Sequence, residues 1–118
     1  MEILTQYIFA TNTHDFKEVQ KLLHPKATYF FSNQTCTTHE QIQKYFENAW
    51  NTVKEENYEA RDIKWLVQTN SSATCVYTYF YEGYEDEKYV TGTGRATNVF
   101  VKENEQWLLI HEHLSPMV

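Results

Sequence analysis

Near the C-terminus, His111-Glu112-His113 sets two imidazoles and a carboxyl side by side. Residues two apart on a strand point the same way, so the imidazoles would share one side, as a metal requires. A third ligand would have to come from His14, His24 or His39, and no spacing ties any of these to the pair. The histidines therefore read as structural, and no metal or cofactor is expected. Glu112 points the other way and shares its side with Leu108, Ile110 and Leu114. A carboxyl among apolar neighbours resists ionisation, so its pKa rises towards neutrality and suits general acid–base work. The competing reading is a solvated strand-end acid paired with Arg95 or a lysine. Cys36 lies just before a helix start, where a thiol's pKa falls. Glu85-Asp86-Glu87 reads as a solvated hairpin tip, without the spacing of a calcium loop.

Composition limits the partners. The 118 residues carry ten basic and sixteen acidic side chains, a formal net charge of −6. Arg61 and Arg95 are the only arginines and the lysines are scattered among acids, so no basic stripe exists for nucleic acid or an anionic membrane. With 16% aromatic residues the chain can bury a core, and its length suits one domain, 1–118. No apolar run approaches the roughly 20 residues of a membrane helix. The N-terminus lacks the pattern of a signal peptide. Cys36 and Cys75 show no C-x-x-C spacing and read as reduced thiols, so a cytoplasmic location is expected.

The elements that would position these groups fall into two halves. Ile3, Leu4, Tyr7, Ile8 and Thr11 have helical spacing. Asp15 can cap a second helix with an apolar face of Phe16, Val19, Leu22 and Leu23, ended by Pro25. A short aromatic strand over 27–32 follows. Thr38-His39-Glu40-Gln41 is a capping box, and Ile42, Tyr45, Phe46, Ala49, Trp50 and Val53 behind it form an apolar stripe. From Glu59 the period changes to two, predicting strands near 59–68, 73–82, 89–102 and 106–114. Gly92 and Gly94 mark a bend or bulge in the third of these. Short turns make the neighbours antiparallel, so the expectation is an α+β fold with three N-terminal helices packed on a curved antiparallel sheet.

That element order resembles the NTF2-like, cystatin-like cone, in its SnoaL-like and calcium/calmodulin-dependent kinase II association-domain branch. The resemblance is carried by Tyr45-Phe46-Glu47-Asn48-Ala49-Trp50 and by the ending from Trp107 to Ser115, which contains H-x-H-x-S. It implies a cone-shaped pocket between helices and sheet, and a homodimer through the convex sheet face. By the same resemblance, Trp50, Phe80, Asn98 and Leu114 face the pocket. Alternation adds Val76, Thr78, Ala96, Phe100, Leu108, Ile110 and Glu112 to that face. It puts Cys75, Tyr77, Tyr79, Tyr81, Thr97, Val99, Val101, Trp107, Leu109, His111 and His113 on the convex side. The association domain's anion-holding cations are replaced here by Ile42, Phe80, Asn98 and Leu114, so the implied ligand is small and neutral or aromatic.

Three functions are compatible with these residues. One is small-molecule binding in an apolar cone with Trp50, Phe80, Thr78, Asn98 and Leu114 as contacts. Another is an isomerase- or cyclase-like enzyme, with Glu112 as proton shuttle and Asn98 steadying an enolate. The last is an assembly module acting through the convex face alone. Tyr7, Tyr29 and Tyr45 could each add a hydroxyl to the cone.

Overall fold

Two tight turns organise the second half of the chain. Asp86 and Glu87 (φ 52° and 67°) join β4 (Ser72–Glu85) to β5 (Lys88–Glu103). Asn104 and Glu105 (φ 51° and 64°) join β5 to β6 (Gln106–Pro116). Left-handed residues at both central positions match the right-handed twist of the flanking strands. A two-residue turn pairs positions three apart, so an odd number always faces an even one. Cys75 therefore lies opposite Asn98, Tyr77 opposite Ala96, Tyr79 opposite Gly94 and Tyr81 opposite Gly92.

This register corrects the expected phase of β4. Cross-strand partners share a face, so Cys75, Tyr77, Tyr79 and Tyr81 accompany Asn98 inward. Val76, Thr78 and Phe80 turn to the convex side. The same rule brings Leu109 inward opposite Phe100, with Trp107 packed beside the core, and leaves Leu108 outward beside Val101. One extra residue, Ile110, then enters β6 between the Phe100–Leu109 and Val99–His111 pairs. Beyond this bulge the numbering parity is restored, and Asn98 meets Glu112 while Ala96 meets Leu114. Glu112 and Leu114 thus face inward as expected, and Leu108 and Ile110 do not join them.

The computed structural model describes residues 1–117. Its helices are α1 (Glu2–Asn12), α2 (Phe16–Gln20) and α3 (His39–Thr52), and the remaining strands are β1 (Leu23–Phe31), β2 (Gln34–Cys36) and β3 (Lys54–Gln68). The six strands run in the order β2-β1-β6-β5-β4-β3. The fold is the α+β cone that was expected, with one exception to its antiparallel pairing. β1 lies parallel to β6, because the α3 connection carries the chain from β1–β2 to the far edge before it meanders back. Pro25 sits inside β1 at a register shift between Leu23 and Thr28, where its missing N–H breaks no ladder bond. It does not end α2, which stops at Gln20.

α3 starts as its sequence dictates: Thr38 Oγ1 accepts from Gln41 N at 3.1 Å, and the Gln41 side chain accepts from Thr37 N at 2.8 Å. Its buried stripe of Ile42, Phe46 and Trp50 packs across the sheet, each side chain contributing about 2–3 kcal/mol. Gly92 and Gly94 sit in an unbroken ladder, so they are neither bend nor bulge. A Cβ at Gly92 would lie 2.3 Å from the Tyr81 ring, and one at Gly94 would lie 2.5 Å from Tyr79. Both glycines exist to let tyrosine rings lie flat across β5.

The β4–β5 turn carries two non-glycine residues in the left-handed region, which costs each on the order of 1 kcal/mol. Replacing Asp86-Glu87 by Asn-Gly should raise the unfolding free energy by about 1 kcal/mol in urea titration. An unchanged or lowered midpoint would contradict the turn assignment.

Candidate functional site

Between α3 and the concave face lies a cavity of about 590 Å³. Tyr7 from α1, Tyr45 and Trp50 from α3, Tyr58 from β3, and Tyr79 and Tyr81 from β4 form its walls. Glu112 and Leu114 line it from β6, and Glu56 from the start of β3. Of the expected site residues, Trp50, Leu114 and Glu112 border this space. Asn98 is fully buried in contact with Glu112. Thr78 and Phe80 do not reach it. Phe80 lies on the convex side under the Arg61 guanidinium, 3.9 Å from ring centre to Cζ. The cavity is consequently more polar than an apolar cone, because the β4 register supplies tyrosines in place of Val76, Thr78 and Phe80.

Glu112 is held in a chain of polar groups. Its residue is 3% exposed. With its nitrogen turned to the acceptors, the Asn98 amide donates to Glu112 Oε1 at 3.2 Å and to Thr97 O at 3.1 Å. The Tyr7 hydroxyl of α1 lines the same cavity and favours the charged form of the carboxyl. Behind it the Tyr7 and Tyr29 hydroxyls share a buried hydrogen bond of 2.7 Å. Burial pushes Glu112 up to about 7, against the pull of the Tyr7 and Asn98 hydrogen bonds. Tyr7, Tyr29 and Tyr77 are all held well above the usual phenol range, by burial first and by the Glu112 charge second. They remain protonated donors over the whole physiological range.

Two polar groups in the wall have no counterpart in the sequence reading. Glu56 is pushed up to about 7 by burial alone. The Tyr58 hydroxyl, buried beside Tyr77, has no hydrogen-bond partner among the described residues. Tyr58 and Glu56 precede the segment in which period-two patterning becomes visible. The glycines facing Tyr79 and Tyr81 were a readable sign that those rings lie across β5.

The remaining candidates lie elsewhere. His111 and His113 are on the convex face, edge-on to Phe30 at 4.8 and 5.5 Å, and His111 Nδ1 lies 2.8 Å from Thr28 O. Cys36 is fully buried, and burial raises its thiol, the reverse of the helix-start expectation. Cys75 is pushed up to about 12 by burial and by Glu112. Neither thiol is a nucleophile at neutral pH. Tyr29 backs Tyr7 without bordering the cavity. Among the described residues, no helix is long and apolar enough to cross a membrane.

Glu112 couples the site to stability. Its folded pKa of about 7 exceeds the ordinary 4.5, so the folded chain keeps a proton that the unfolded chain has lost between those values. The stability this confers is complete below pH 4.5 and is lost as pH rises through about 7, a span worth about 3 kcal/mol. Glu112→Gln should therefore gain stability relative to wild type as pH increases from 5 to 8. Parallel denaturation curves for the two proteins across that range would contradict the burial argument.

Comparison with known proteins fits this geometry. A family model described as the SnoaL-like domain matches residues 1–118. Among curated proteins, none matches the chain in sequence. Solved structures share its fold at low identity. One is a protein of Xanthomonas campestris, described provisionally as a calcium/calmodulin-dependent protein kinase II association domain. It is 22% identical with a TM-score of 0.86, over 97% of this chain and 82% of that one. An NTF2-like superfamily protein of Salmonella enterica is 16% identical with a TM-score of 0.87, over 99% and 88%. The kinase association domain of C. elegans is 15% identical with a TM-score of 0.78, over 97% and 90%. Matched from its first residue to its last, and folded as an NTF2-like cone around a tyrosine-walled cavity, this chain belongs to the SnoaL-like domain family.

Proposed function

We propose that the cavity binds a small, largely flat molecule bearing a carbonyl group, and that Glu112 exchanges a proton with it. The observation that carries this reading is a buried carboxyl bordering the cavity, held by the Asn98 amide and raised towards neutrality by burial. A base whose pKa lies close to the working pH has the largest product of correct protonation state and driving force. The ionised carboxylate takes a proton from the carbon next to the carbonyl. The C–H electron pair becomes a carbon–carbon double bond and the carbonyl π pair moves to oxygen, giving an enolate. A phenol of the cavity wall donates to that oxygen. Protonated Glu112 then returns the proton to carbon. Asn98 orients Glu112 and does not itself meet the ligand. An assembly module without a ligand would have no use for these polar groups inside the cone.

A second reading concerns the outer surface and is compatible with the first. The convex face presents Phe30, 41% exposed, with His111, His113, Thr97, Val99, Val76 and Phe80 around it. We propose that it pairs with a second copy of this chain, as a homodimer. The association domains among the structural neighbours support such self-association. Buried, unpaired thiols suit the reducing cytoplasm.

For the first reading, deuterium exchange at the α-carbon of 2-tetralone in D₂O is the assay. Glu112→Gln should slow the protein-dependent exchange by about 100-fold or more while tetralone affinity stays within about threefold. Wild-type exchange should rise between about pH 6 and 8 as the carboxyl ionises. Equal exchange in both proteins would refute the role of Glu112. For the second, sedimentation velocity should show a two-chain species that Val99→Arg converts to monomer. A wild-type monomer at tens of micromolar would remove the dimer.

A further inference from the structure

The start of β3 is built to aim one side chain. Lys54 pairs with Tyr84 and Asn57 with Glu82, so Glu55 and Glu56 together face the single residue Gly83. Glu55 takes up the extra length in the left-handed region, φ 53°. The bulge closes only because residue 83 is glycine. A Cβ there would lie 2.6 Å from Val53 Cγ1, 2.8 Å from Lys54 O and 3.1 Å from Glu56 Cα. A bulge re-aims the residue that follows it, and here Glu56 turns into the cavity wall.

The same segment is clamped from the helical side. His14 Nε2 lies 2.8 Å from Glu56 O, and the His14 ring stacks on Trp50 at 5.4 Å and 18°. His14 is itself left-handed, φ 58°. The Asn12 side chain accepts from Tyr58 N and donates to Tyr58 O, each at 2.8 Å. Two left-handed residues, His14 and Glu55, and three hydrogen bonds to the backbone of Glu56 and Tyr58 thus fix this segment.

Within this clamp the Glu56 carboxyl has neither an ion pair nor a hydrogen bond among the described residues. Lys44, which also borders the cavity, is engaged by Glu40 at 3.3 Å on the exposed side of α3. Glu56 is half-buried, and a carboxyl partly withdrawn from water with no protein partner gains from a cation that completes it. Trp50, Tyr58 and Tyr81 line the same cavity. Aromatic rings and a half-buried, unpaired carboxylate together attract an organic cation.

We propose that Glu56 is the anchor for a protonated amine on the cavity's ligand. This rests on the reading that the cavity binds a small molecule, and it adds the ligand's charge. The ammonium donates to the Glu56 carboxylate and lies against the Trp50 and Tyr faces. Ion-pairing and cation–π attraction select it over an uncharged group of the same shape.

Calorimetric titration with 2-naphthylmethylammonium and with its neutral isostere, 2-naphthylmethanol, tests the assignment at pH 7.5. Wild type should bind the ammonium about tenfold or more tighter than the alcohol. Glu56→Gln should abolish that preference while leaving alcohol affinity within about threefold. Glu112→Gln, and Glu85→Gln at the exposed rim, should retain it. Equal binding of both probes to wild type overturns the amine assignment and leaves the cavity reading standing. A preference that survives Glu56→Gln, or that is lost in Glu85→Gln, also overturns it. Binding of neither probe removes the cavity reading and the amine with it.

Discussion

Strand register is the constraint on which this molecule depends. The cone has one inner surface, and each strand can offer it only alternate side chains. A shift of one residue exchanges the whole set. Two-residue turns fix the register on both sides of β5, and each forces odd positions to face even ones. If that rule ran unbroken through β6, His111 and His113 would point into the cavity and Glu112 would sit outside. The single bulge at Ile110 prevents this. A comparable bulge at Glu55 and Glu56 decides what enters from β3. Regular pairing builds the cone's body, and two irregularities place its acids.

Those placements oppose stability. Two carboxyls are held where ionisation is disfavoured, and a phenol is buried without a partner. Apolar residues of similar volume would pack the same space at lower cost. The aromatic core absorbs the difference. Tyr29, Phe31 and Phe46 stack edge and face beside the cavity, and Trp65 packs on Phe100 in the core. Rigid rings hold the Tyr7 and Trp50 side chains in fixed directions, so the polar groups they carry or support are positioned before a ligand arrives. Preorganisation of this kind is what makes a buried donor or acid useful.

The parts of this design that follow local rules were legible in the sequence. Thr38 and Gln41 announce α3, the Ile42-Phe46-Trp50 stripe announces its buried face, and the alternation after Glu59 announces the meander. Glu112 was identifiable because the C-terminal half of β6 keeps the assumed phase, although of its assumed apolar neighbours only Leu114 shares its face and Leu108 and Ile110 do not. Thr78 and Phe80 were misplaced because the resemblance set Phe80 beside Asn98 and alternation carried Thr78 with it, whereas the two-residue β4–β5 turn sets odd positions of β4 against even ones of β5. The turn's true length follows from Asp86-Glu87 being the only pair that leaves Tyr79 and Tyr81 opposite the two glycines. Glu56 was invisible for a different reason. Its orientation depends on a bulge seated against Gly83, twenty-seven residues away in sequence, and no local pattern encodes a contact of that range.

The two acids share a cause and differ in circumstance. Burial lifts both to about 7, but Glu112 is anchored by Tyr7 and Asn98 while Glu56 has no donor. A group already hydrogen-bonded in its charged form changes little in position when it gains or loses a proton, which suits repeated transfer. A group with no donor responds strongly to whatever approaches it, because the first favourable contact removes most of its cost. Glu112 is therefore built to exchange and Glu56 to hold. A cation bound at Glu56 would also favour ionisation of Glu112 across the cavity, since each positive charge in a low-dielectric space lowers the pKa of nearby carboxyls. Binding and base strength would then act in opposite directions: the ligand that fits best makes its own proton acceptor more readily charged and less basic.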